Sequence, residues 1–325
     1  MNHPPARRRL IRGVAAALAA AFAAGVGGSA LAQAAGGLTK FNVAMVSSID
    51  TEPYLYAKQQ GYYAQAGLDV TLAKADSGPA LVTGVLNGTY DGASAAAFPV
   101  LIAISKGAPL KILPGATVVG TGHGNSGLVV RADSPIKSYK DLVGKTVATN
   151  ALTSLTTLAT KIGVKKEGGD PNAVKFISLP FKSSVQAVAQ GQADAAVVIS
   201  PFQTEAELSG LKVIADPIGT MMPKGSPYNI MFTNAKNSEA KVKDFAAFNQ
   251  ATLRAVKELA ADPALQRRLA VSLVGMTDEV AAKVPLPDYN AAPIDLPSLQ
   301  KYADFVAEYG YSDKPVDVKR VVVNP

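Results

Sequence analysis

Downstream of residue 40, short apolar runs rich in β-branched residues alternate with stretches whose apolar positions recur every three to four residues. The short runs predict strands at Phe41–Val46, Asp69–Ala73, Gly92–Ala95, Leu110–Pro114, Gly127–Arg131, Thr146–Thr149, Val174–Ser178, Ala195–Ile199 and Lys212–Ala215. The helical period predicts helices near Pro53–Gln65, Gly78–Asn87, Pro99–Lys106, Ser154–Lys161 and Ser184–Gln190. Such alternation implies an α/β fold, with mainly parallel sheets flanked by helices. Beyond Asn237 the pattern turns helical, with Glu239–Leu259, Pro263–Val274 and Leu296–Tyr309, and the next strong β-run is Val321–Val323.

One pattern occurs twice. Asn87-Gly88-Thr89-Tyr90-Asp91-Gly92-Ala93 and Gln190-Gly191-Gln192-Ala193-Asp194-Ala195-Ala196 each end an amphipathic helix, turn at glycine and enter a buried strand after aspartate. Glycine suits the left-handed position just past a helix end, and the aspartate is expected to accept hydrogen bonds from turn amides. The strands then run to Phe98-Pro99 and to Ser200-Pro201-Phe202, where proline suits the first turn of a following helix. Two copies of the unit predict two similar α/β lobes.

The first 32 residues change the meaning of the overall charge. Arg7, Arg8, Arg9 and Arg12 precede an apolar run from Val14 to Val26, and Ala30-Leu31-Ala32 offers a cleavage site before Gln33. This is the pattern of a cleaved export signal, 1–32, rather than of a membrane anchor, because the run is short and interrupted by Gly25, Gly27 and Gly28. Arg7 to Arg12 also resembles a twin-arginine signal, so both the general secretory and the twin-arginine routes stay open. The whole chain has 32 Lys and Arg against 25 Asp and Glu; without the four signal arginines the balance is 28 against 25, a net charge of +3. A basic face for nucleic acid is not indicated. The chain has no cysteine, hence no disulfide and no lipid-modified cysteine after the signal. A freely diffusing exported protein is useful where an outer barrier retains it, which points to a periplasm.

Candidate chemistry is sparse. Past the signal, His123 is the one histidine, and neither a His-x-x-x-His pair nor a cysteine pair exists to hold a metal. Gly124-Asn125-Ser126-Gly127-Leu128 lacks the second glycine of a nucleophile elbow. These absences argue against an enzyme, since general acid–base work most often uses histidine. No cofactor is expected.

Several stretches together resemble a known family. They are Gly61-Tyr62-Tyr63-Ala64-Gln65-Ala66-Gly67-Leu68-Asp69-Val70, Leu86 to Asp91, Lys106 to Lys111, Ser134 to Val147 and Ala187 to Asp194. In this order they are similar to the periplasmic binding proteins of nitrate, sulfonate and taurine ABC importers, a family that also includes binders of pyrimidine thiamine precursors. The resemblance implies a two-lobed type II periplasmic binding protein fold, with 38–128 and 232–325 as the first lobe and 129–231 as the second. The two hinge crossings are expected near Gly127–Arg131 and Tyr228–Thr233. It further implies a monomer that gives a small-molecule ligand to an ABC transporter permease in the inner membrane. Two other readings stay open: an enzyme on the same scaffold, and a sensor module for a membrane receptor.

In open α/β sheets the ligand lies beyond the carboxyl ends of strands. Those ends offer Ser47 and Ser48, Ser94 and Ala95, Thr149 and Asn150 with Thr153, and Ser200. Small hydroxyl and amide residues suit a site where backbone N–H groups and helix N-termini approach an anion, and they are equally the preferred helix caps. Lys182 offers a positive charge or is a solvated lysine; Phe181, Phe202, Tyr54 and Tyr228 wall an organic tail or pack in the core. Asn125 lies on the glycine-rich loop at the first expected crossing. Few charges at these positions favour a small organic sulfonate or carboxylate, aromatic or not, over a neutral heterocycle. The Pro-rich stretch Val284–Pro297 is either partner-facing or a plain surface crossing.

Overall fold

The computed structural model describes residues 37–120, 126–289 and 293–323. The expected signal at 1–32, together with His123 and Asn125, lies outside the described residues. Among these, eleven strands occur: β1 (Thr39–Val46), β2 (Leu68–Ala75), β3 (Gly92–Ala96), β4 (Leu110–Val118), β5 (Ser126–Val130), β6 (Thr146–Thr149), β7 (Lys175–Ser178), β8 (Ala195–Ile199), β9 (Lys212–Ala215), β10 (Pro227–Asn234) and β11 (Asp288–Tyr289). They form a six-stranded sheet in the order β11-β4-β10-β3-β1-β2 and a five-stranded sheet in the order β7-β6-β8-β5-β9.

Both sheets are mixed, which refines the expected mainly parallel arrangement. β1 runs parallel to β2 and β3, and β6 runs parallel to β7 and β8. β10 and β5, the strands by which the chain enters each sheet from the other, run antiparallel to both of their neighbours. The reason is geometric. The parallel strands end at the gap between the sheets, so a strand that begins there must run the other way.

The chain therefore changes sheet between Val118 and Ser126 and again between Ala215 and Pro227. Gly127–Arg131 and Tyr228–Thr233, where the crossings were expected, lie in or at the end of β5 and β10, a few residues downstream of the passages themselves. Their apolar composition reflects burial within a sheet. The two passages lie side by side: Val119 N donates to Ser226 O at 2.8 Å and Gly225 N to Val119 O at 2.9 Å. Beyond them, Ser126 Oγ donates to Asp216 Oδ1 at 2.6 Å and accepts from Ile218 N at 2.9 Å.

The repeated Gly-x-x-Asp unit has a different role from the one expected. Gly88 and Gly191 do adopt positive φ, at 80° and 72°. The aspartates, however, reach across to a neighbouring strand. Asp91 Oδ2 accepts from Asn42 N of β1, and Asp194 Oδ2 accepts from Thr146 N of β6, both at 2.8 Å. Each aspartate amide donates back to the carbonyl of the same partner residue. This two-way pairing pins the register of β1 against β3 and of β6 against β8.

Helices cover both sheets. The helix Leu155–Lys166 shows why they form: Ser154 caps it by accepting from Thr157 N, Leu155, Leu158, Ala159 and Ile162 are buried, and Lys165 and Lys166 complement the dipole at its end. The expected single helix Pro53–Gln65 is two, Glu52–Gln59 and Tyr62–Gln65, separated at Gly61, whose φ is 70°. An aromatic cluster packs behind the first sheet, with Tyr63 stacked on Phe248 at 4.8 Å and Phe41 edge-on to Phe245 at 4.9 Å. Val321–Val323 forms a single parallel bridge, Val322 to Ile112, beside β4.

Candidate functional site

The carboxyl ends of β1, β3 and β6 face a cavity between the two sheets, of about 580 Å³ when the space open to solvent is counted. The first sheet and its connections contribute Val46, Ser48, Asp50, Thr51, Tyr54, Ser94 and Ala96. Gly78 and Pro99 add the starts of two helices, while Tyr228 and Asn229 of β10 close that side. The second sheet contributes Asn150, Ser154, Leu155, Thr156, Phe181, Ile199 and Ile218.

The wall from the second sheet is a satisfied network without a charged group. Ser154 Oγ donates to Ala151 O at 2.7 Å, with Thr156 Oγ1 lying 2.8 Å away. Thr156 Oγ1 donates to Asn150 Oδ1 at 3.1 Å, which leaves the Asn150 amide group to donate to Asp76 O of the opposite side at 3.3 Å. These groups surround the N-terminus of the helix Leu155–Lys166, where free amides and the helix dipole favour an anion. Gly78 begins a second helix, Gly78–Leu86, capped by Ser77; a Cβ at Gly78 would lie 2.6 Å from Pro99 Cγ, so glycine permits this close packing.

The wall from the first sheet contains a buried carboxylate. Asp50 accepts from Ser48 Oγ at 3.2 Å through Oδ2, and its Oδ1 has no hydrogen-bond partner. Burial pushes its carboxyl up to about 6, against the opposing effect of the Ser48 hydroxyl. Behind it, Glu52 is wholly buried and accepts from Tyr289 Oη at 2.7 Å. Burial raises Glu52 to about 8, opposed by the Tyr289 hydrogen bond and reinforced by nearby Asp50. Tyr54 Oη donates to Ser94 Oγ at 3.1 Å, fixing one ring edge of the wall.

Of the residues singled out from sequence, Ser48, Ser94, Asn150 and Phe181 line this cavity, as do Tyr54 and Tyr228. Ser47, Ala95, Thr149, Thr153, Lys182, Ser200 and Phe202 are not among the lining residues. Thr149 Oγ1 is engaged by Thr157 Oγ1 at 2.9 Å, and Ser200 Oγ by Gln203 Nε2 at 2.8 Å. Lys182 is exposed and lies near Glu205, because one helical step from inward-facing Phe181 turns a side chain by about 100°. Phe202 packs on Phe181 from outside at 5.5 Å. Asp50, Ser154 and Thr156 were missed, although the rule that led to Ser48 and Thr153 covers the same two connections. Among the described residues, no group of three or more His, Cys, Asp or Glu converges to hold a metal, and no helix is long and apolar enough to cross a membrane.

A family profile described as NMT1/THI5 like matches residues 48–265, which include most of the cavity wall. The chain belongs to the NMT1/THI5-like family. A comparison with curated proteins gives no match. Among solved structures, this family member is similar to the alkanesulfonate-binding protein SsuA from Xanthomonas axonopodis pv. citri, bound to MOPS. The TM-score is 0.76 at 20% identity, covering 90% of this chain and 100% of that one. It is also similar to the periplasmic aliphatic sulphonate binding protein SsuA from Escherichia coli, with a TM-score of 0.69 at 18% identity and coverage of 87% and 97%. The periplasmic nitrate-binding protein NrtA from Synechocystis PCC 6803 gives 0.74 at 16% identity, with coverage of 88% and 86%. These neighbours are binding proteins, and at this identity the likeness establishes a shared fold: two mixed sheets flanked by helices and joined by two passages.

Proposed function

We propose that this family member is the solute-binding component of an ABC importer, exported to the periplasm, where it acts as a monomer and captures a small organic sulfonate or carboxylate. The observation that carries this reading is the cavity between the two sheets, whose second wall offers the N-terminus of the helix Leu155–Lys166 and no like charge. An anion placed there gains from amides and dipole without displacing a paired carboxylate. Phe181, Tyr54 and Tyr228 supply apolar surface for its organic part.

Capture would proceed by rotation of the two lobes about the paired passages at Val119 and Ser226, since two short segments can absorb such a rotation. The closed form then presents a joint surface to a permease, and ligand biases that equilibrium. The test is native mass spectrometry of what copurifies with the protein, followed by thermal melts against a panel of sulfonates, carboxylates and neutral heterocycles. Stabilisation that tracks anion concentration by mass action supports the reading. Stabilisation by heterocycles alone contradicts it.

A further inference from the structure

The two walls of the cavity differ in a way that bears on ligand chemistry. An anion site needs donors, and the second wall has the backbone amides of a helix N-terminus. The first wall instead includes an acceptor: Asp50, a buried residue of the cavity lining, held by one hydroxyl and with Oδ1 unpartnered. A carboxylate oxygen out of water without a donor is costly. A simple alkyl or aryl anion would make this worse, since it brings a negative charge and no hydrogen to share.

We infer that Asp50 is a specificity-determining residue that selects ligands carrying an N–H donor at the end opposite their anionic group. Resting on the anion reading above, the inference divides the cavity. The sulfonate or carboxylate faces the N-terminus at Ser154 and Thr156, and an amino or ring N–H group faces Asp50 Oδ1. Ser94 Oγ accepts from Tyr54 Oη at 3.1 Å and does not partner Asp50 Oδ1. Glu52 lies behind Asp50, bound to Tyr289 and outside the cavity lining, so the selecting acceptor is Asp50.

The test uses matched probes that differ by the amino group alone: 2-aminoethanesulfonate against ethanesulfonate, 3-aminobenzenesulfonate against benzenesulfonate, and 3-aminopropanoate against propanoate. Affinities are measured by calorimetry on the intact mature protein and on Asp50→Ala and Asp50→Asn. In the wild type, the amino member of at least one pair is expected to bind about tenfold or more tightly than its partner, the effect of one charge-assisted hydrogen bond. In Asp50→Ala that ratio falls to within about twofold, while the amino-free probe binds as well as before or better. Because the wild-type ratio needs no variant, a poorly folding substitution does not remove the test. Pairs that bind with equal affinity in the wild type overturn the role of Asp50 and leave anion capture standing. Failure of every probe to bind overturns anion capture, and this inference with it.

Discussion

The two walls of the cavity are built from the same local plan, yet they are electrostatically unlike. In each, a parallel strand ends in a polar connection near a helix N-terminus, and in each lobe a Gly-x-x-Asp turn locks a strand edge to its neighbour at 2.8 Å. The second wall, from Asn150 to Thr156, contains no titratable side chain, and its hydroxyls are engaged with one another. The first wall contains Asp50, with Glu52 behind it, each with one carboxylate oxygen lacking a partner. A shared fold thus fixes where a ligand sits, while the side chains in the connections decide which chemistry each end of the ligand must bring.

This contrast breaks most readily through pH. Glu52 is raised to about 8 and Asp50 to about 6, so the folded chain retains protons that the unfolded chain releases at ordinary carboxyl values. Their contribution to stability is therefore fully present below about pH 4 and is lost as pH rises toward 8. Urea midpoints measured from about pH 5 to pH 8 should fall with pH in the wild type, and Glu52→Gln should flatten the upper part of that fall. An unchanged slope in the variant would show that Glu52 does not titrate in this range.

A smaller effect separates the helix caps. Ser154 caps the helix of the second wall and also binds Ala151 O and Thr156, whereas Ser77 caps the helix Gly78–Leu86 through a single 3.4 Å contact from Ala80 N. Ser154→Ala should cost about 1 kcal/mol and weaken sulfonate binding, and Ser77→Ala about 0.5 kcal/mol. Equal costs in denaturant titration would mean that the extra bonds at Ser154 add nothing.

The sequence carried the sheet segments well where burial on both faces leaves a continuous apolar run, as in Thr146–Thr149 and Ala195–Ile199, whose limits match the structure, and the limits of the half-buried edge strand Lys212–Ala215 match as well. It carried β10 poorly. Pro227–Asn234 is apolar enough for a strand, but the sheet that takes it in was not visible locally. Phe202–Leu208 and Pro217–Met221 are helices too short for their period to stand out. At the cavity, the strand-end rule led to connections that line it, while only some of the side chains named there do so. Whether Phe181 or Lys182 faces the cavity depends on helix phase, and whether Ser47 or Asp50 does depends on the 3-10 turn at Ile49–Thr51. The turn residues themselves give no period from which to read that choice.

Because the chain has no cysteine, two can be introduced as the sole labelling sites. Ala80 and Leu152 are both exposed, and they flank the place where Asn150 reaches Asp76 O between the two walls. Spin labels there report directly whether the walls meet around a ligand. A pulsed dipolar measurement should give a broad or two-component distance distribution without ligand, and saturating ligand should collapse it to the shorter component. A distribution left unchanged by a ligand that calorimetry shows to be bound would contradict capture by closure between the two sheets.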